Sequence, residues 1–68
     1  MSYGHEIFIR EVVHLIHENI RELNERKGFA EANELDHIEG KLIAYHEVLA
    51  LLRTGASESN LSLAEFGL

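Results

Sequence analysis

The residues best equipped for chemistry in this sequence are acids and histidines set one helical turn apart. Glu-x-x-His occurs twice, as Glu11-Val-Val-His14 and Glu34-Leu-Asp-His37. That spacing puts a carboxylate and an imidazole on one face of a helix, where a helix can offer two ligands to a metal centre. His14 and His17 repeat the spacing with two imidazoles, a pair able to share a surface metal ion. There is no Cys, so thiol catalysis and thiolate metal sites are excluded. Each Ser falls in a lead-in, a linker or a tail, and the five Gly are scattered singly, so neither a nucleophile motif nor a phosphate-binding loop is written.

The elements that must carry these residues are helices. In the first, over 5–27, apolar residues recur at steps of three and four: Phe8, Ile9, Val12, Val13, Leu15, Ile16, Ile20 and Leu23. Ser2 or Gly4 is expected to cap it, and Glu18–Arg21 and Glu22–Arg26 are the expected ion pairs. Arg26 and Lys27 put positive charge at its negative end, and Gly28 suits a left-handed residue just beyond, with Phe29 folding back on Leu23. A turn this short, 28–29, requires the next helix to run antiparallel. That helix is expected over 30–53, with Asn33 an alternative N-cap and Gly55 the stop. A linker, 54–60, and a short helix or arm, 61–68, complete one domain over 1–68.

The second helix holds a heptad seam at Leu35, Ile38, Leu42, Tyr45, Leu49 and Leu52. With a turn at Gly28, facing residue numbers should add to roughly 58. Ile20 then meets Ile38, Ile16 meets Leu42, Val13 meets Tyr45 and Ile9 meets Leu49. The Tyr45 hydroxyl needs a polar partner, from His46, Glu47 or another chain.

This seam leaves apolar residues over. Phe8, Val12 and Leu15 on the first helix, and Ile43, Val48 and Leu51 on the second, point away from it. Each would gain about 1.5–3 kcal/mol on full burial, so together they hold on the order of ten, comparable to a domain's net stability. A chain of 68 residues without disulfides has few other sources of stability. The predicted architecture is therefore all-α: an antiparallel two-helix hairpin with a short C-terminal helix or arm, dimerising into a four-helix bundle. The expected interface is Phe8, Val12, Leu15, Ile43, Tyr45, Val48, Leu51 and Leu52. His46 flanks the seam, and at an interface its protonation would make assembly pH-sensitive.

Charge narrows the partners. A net charge of −6 repels phosphate backbones and anionic lipid, so neither nucleic acid nor membrane is expected. No basic region followed by an apolar run opens the sequence and no apolar run reaches spanning length, which makes the cytoplasm the expected location.

Two resemblances bear on function. The Glu-x-x-His pairs on a two-helix chain resemble the encapsulated ferritins, whose subunits are two-helix units; this implies a di-metal centre assembled by dimerisation, with Glu34, His37 and Glu31 as candidate ligands. Glu11 and His14 do not fit, because they lie opposite Ile9, Val13 and Ile16 on the polar face. The length and Gly-turned hairpin are similar to the small two-helix aspartyl-phosphatases of sporulating bacteria. Their Ser-Gln-Glu-Leu-Asp run is replaced here by Glu34-Leu35-Asp36-His37-Ile38, and that family is not assigned. The primary expectation is a non-enzymatic interaction module without cofactor, such as a small cytosolic regulatory or adaptor protein. It would pair with itself and use its remaining groove or tail to engage another protein. A ferritin-like metal-binding bundle is the alternative.

Overall fold

Two long helices and one 3-10 turn make up the fold: α1 (Ser2–Lys27), α2 (Ala32–Glu58) and the turn Ala64–Phe66. The computed structural model describes residues 2–68, with side chains from Gly4 onward. α1 and α2 pack against each other as an antiparallel hairpin, and the 3-10 turn packs on α1. The molecule measures 46 × 19 × 16 Å.

α1 extends further toward the N-terminus than the expected start at His5. Ser2 and Gly4 lie within the helix rather than capping it, while Met1 lies outside the described residues. Its exposed surface carries an ion-pair ladder: the Arg21 guanidinium bonds Glu18 and Glu25, both at 2.7 Å. The hydrogen bond and charge of Arg21 hold the Glu18 carboxyl below the usual carboxylate range. The expected Glu22–Arg26 pair is absent, because Arg26 instead crosses the hairpin to Glu34 at 2.6 Å.

The turn differs from the expected one. Gly28 does not take a left-handed backbone; its N–H and that of Phe29 donate to the carbonyls of Glu25 and Arg26, tightening the last turn of α1. Phe29 is 81% exposed and does not fold back on Leu23. The chain then runs through Ala30 and an extended Glu31 (φ −78°, ψ 165°) before α2 begins at Ala32, two residues later than expected. The Leu35 N–H donates to the Glu31 carbonyl at 2.8 Å and closes the first turn. Asn33 lies inside the helix and is not its N-cap.

α2 also runs past its expected end at Arg53, through Gly55 to Glu58. The buried seam explains this. Ile38, Leu42 and Leu49 are buried, and the same three-and-four spacing leads on to Ala56, buried in turn. Stopping at Gly55 would expose Ala56, and a single glycine costs the helix only about 0.5–1 kcal/mol. The end comes instead at Asn60, whose φ of 60° is left-handed. The Leu61 N–H bonds the Ala56 carbonyl at 2.9 Å and the Asn60 N–H bonds the Ser57 carbonyl at 3.1 Å. These are the paired bonds of a Schellman motif, with asparagine in the place usually held by glycine.

The C-terminal arm folds back over the hairpin. Phe66, 3% exposed, joins Val13 and Ile16 of α1 and the α2 seam in the core. Gly67 is left-handed (φ 75°) and closes the 3-10 turn with the same bond pattern: Gly67 N–H to Ala64 at 3.2 Å and Leu68 N–H to Leu63 at 2.9 Å. The left-handed backbone favours glycine there, and Val13 stands 3.5 Å from where a Cβ would lie.

Candidate functional site

The hairpin has two sides, and the arm covers one. Along α1 the inward stripe Ile9, Val13, Ile16 and Ile20 is flanked on one side by Arg10 and His17. The Arg10 Nε donates to the Glu65 carbonyl at 2.9 Å, and the His17 Nε2 lies 3.1 Å from the Gly67 carbonyl oxygen. Arg53, on the matching flank of α2, donates from Nε to the Leu68 carbonyl at 3.2 Å. Three side chains thus clamp the arm's backbone from both helices.

The opposite side is uncovered except at the end away from the turn, where Leu51 and Gly55 border a pocket of about 310 Å³ with Leu61, Phe66 and Leu68 of the arm. Phe8, Val12, Leu15, Asn19, Glu22 and Arg26 recur at heptad spacing on that flank of α1. His37, Lys41, Ala44, Val48, Leu51 and Gly55 do the same on α2. Between them, toward the turn, lies a groove of about 810 Å³ bordered by Asn19, Glu22, Leu23, Lys41, Ala44 and Val48. Away from the turn the face is apolar: Phe8 is 67% and Leu51 73% exposed, with Leu15 and Val48 also open to solvent. Each helix therefore buries one apolar stripe inside the hairpin and keeps further apolar residues, Phe8, Val12 and Leu15 on α1 and Ala44, Val48 and Leu51 on α2, on the side away from the clamp.

Of the residues expected at an interface, Phe8, Val12, Leu15, Val48 and Leu51 share this face. Tyr45 and Leu52 are half-buried at the edge of the seam beside it. Ile43 is 62% exposed but its position on α2 turns it to the outer surface, away from Val48 and Leu51. The Tyr45 hydroxyl finds its partner within the chain: the Asn19 side-chain amide donates to it at 3.1 Å. That bond joins Tyr45 to a residue nearer the turn than Val13, the neighbour expected for it. His46 is exposed on the flank of α2 shared with Arg53, so it does not border the uncovered face.

The candidate metal ligands are not brought together. Glu34 is engaged by Arg26, Glu31 is the extended residue before α2, and Glu11, His14 and His37 are exposed. Among the described residues no group of three or more His, Asp and Glu side chains is placed to hold a metal ion. No helix in the described residues is long and apolar enough to cross a membrane.

The apolar part of this face, Phe8, Val12, Leu15, Val48 and Leu51, was readable in the sequence as surplus to the seam, whereas its continuation through Asn19, Glu22 and Lys41 carried no apolar signal. The arm's clamp had no such signal, since Arg10, His17 and Arg53 act on backbone carbonyls fifteen to fifty-five residues away. No protein-family model matches this sequence, and no curated protein or solved structure matches it significantly.

Proposed function

We propose that this chain is a helical interaction module that acts by binding rather than by catalysis, its uncovered face docking a second copy to close a four-helix bundle. The observation that carries the reading is that exposed apolar side chains of both helices, Phe8 and Leu15 with Val48 and Leu51, share one side of the hairpin while the arm's backbone is clamped on the other. What sets this face apart is its apolar end, where Phe8, Leu15, Val48 and Leu51 are open to solvent, and an open apolar patch of this kind marks a docking surface.

A second copy fits by size. The molecule as a whole is 46 Å long and 16–19 Å across, so a face along its length is of the order of the roughly 800 Å² per partner that a standard interface buries. It also relieves the shortage of core: among the described residues seven side chains are buried, too few for a chain of this length to be robust alone. In the cell the reading is of a small cytosolic regulatory or adaptor protein, with which the lack of Cys agrees.

Sedimentation of the wild type and two variants over a dilution series tests the proposal. Leu51→Glu places a charge on the uncovered face and is expected to leave a helical monomer. Ile43→Glu changes a residue that is also exposed but off that face, and should leave the mass unchanged. A wild type that stays monomeric at high concentration would remove the proposal.

A further inference from the structure

The uncovered face is graded along its length, and the grading selects one way for two copies to meet. The geometry of pairing rests on the self-association proposed above and on the level of each residue along the hairpin. The cross-hairpin links Arg26–Glu34, Asn19–Tyr45 and Lys27–Glu39 bracket that level to within about one helical turn. Phe8 then stands level with Gly55, Val12 with Leu51, Leu15 with Val48, Asn19 with Ala44 and Glu22 with Lys41. The bulky aromatic is matched by the residue without a side chain, and the acid by the base.

Within one chain these pairs are not satisfied. Arg21 and Arg26 are taken by Glu18, Glu25 and Glu34, and Lys27 reaches Glu39 at 3.7 Å. Glu22 and Lys41 border the same groove, yet neither has an ion-pair partner among the described residues. A Cβ on Gly55 would meet nothing within 4 Å, and Gly55 borders an unfilled pocket of about 310 Å³ with Leu51 and, from the arm, Leu61 and Phe66.

A two-fold axis lying in the face and running along the hairpin lays α1 of one copy on α2 of the other, with both turns at the same end. Every level pair then becomes a contact between copies, and neighbouring helices all run antiparallel. An axis across the hairpin lays α1 on α1 and α2 on α2. In full overlap it sets Phe8 and Leu51 against the charged turn end of the other copy; staggered, it covers only the apolar end. We infer that two copies pair face to face with their turns together, Phe8 seating over Gly55 of the partner subunit and Glu22 against the partner subunit's Lys41.

The absence of Cys makes disulfide trapping clean. Chains carrying Glu22→Cys and Lys41→Cys, tagged to different lengths, are mixed and oxidised, and Val12→Cys is oxidised alone. The expected result is a covalent heterodimer of the first two, at least fivefold more abundant than either homodimer, with little dimer from Val12→Cys. A dominant Val12→Cys dimer without the heterodimer would overturn the geometry in favour of α1 on α1. A wild type that sediments as a dimer while giving neither product would overturn it too. If nothing crosslinks and the wild type is monomeric, the self-association beneath the inference has failed, and the geometry with it.

Discussion

The guanidinium of Arg10 lies over the ring of Phe66, 5.9 Å from its centroid, while its Nε holds the Glu65 carbonyl at 2.9 Å. One side chain of α1 thus covers and tethers the aromatic that anchors the arm. Phe66 is the arm's one fully buried residue among those described, so Phe66→Ala should cost about 3 kcal/mol, the lower range for such truncations. Arg10→Ala removes the tether and the cation over the ring but leaves Phe66 in place, and should cost about 1 kcal/mol. Urea denaturation of the two variants checks the order; a loss for Arg10→Ala as large as that for Phe66→Ala would show that the arm depends on the tether as much as on burial.

Gly67 closes the arm in a left-handed conformation, φ 75°, with Val13 beyond it. Gly67→Ala should destabilise by about 1–2 kcal/mol, the left-handed penalty of an L-residue. Asn60 holds the same conformation at the end of α2, and Asn60→Gly should be neutral or gain a few tenths of a kcal/mol, about the difference between the two residues in this role. Thermal melts of both variants test the pair of expectations.

Gly55 sits inside α2, right-handed and with open space around it. At low protein concentration Gly55→Ala should therefore raise the stability of the single chain by about 0.5–1 kcal/mol. At high concentration the gain should shrink or reverse, because a second copy's Phe8 seats in that space; a gain unchanged by concentration in melts over a dilution series would contradict that seating.

Glu18 titrates below the usual carboxylate range because Arg21 bonds and attracts its charged form. A carboxyl depressed in the folded state adds stability above its unfolded pKa and loses it as pH falls through the folded pKa. Melts at about pH 6 and about pH 3 should show that loss in the wild type and less of it in Arg21→Ala. Side-chain NMR should show the Glu18 titration of that variant moving upward. The pair is solvent-exposed, so the effect on stability will be small.

Much of the hairpin was legible in local spacing. The seam from Leu35 to Leu52, the end of α1 at Lys27 and the antiparallel return follow from three-and-four periodicity and a short connection, which act over a few residues at a time. The apolar surplus at Phe8, Leu15, Val48 and Leu51 was legible too, because no pair of helices can turn two stripes inward at once. What spacing did not settle was which glycine acts as a stop. Gly55 and Gly28 carried that signal, yet the left-handed ends fall at Asn60 and Gly67, since a helix continues as long as the next turn has something to bury, here Ala56. Nor did spacing settle which side of the hairpin the arm would take. That was decided by Arg10, His17 and Arg53 meeting carbonyls distant in sequence, and by the space beside Val13 that Phe66 and Gly67 occupy. Local periodicity specifies a helix and its inward face, whereas the choice between two flanks depends on contacts that exist only once the helices are packed.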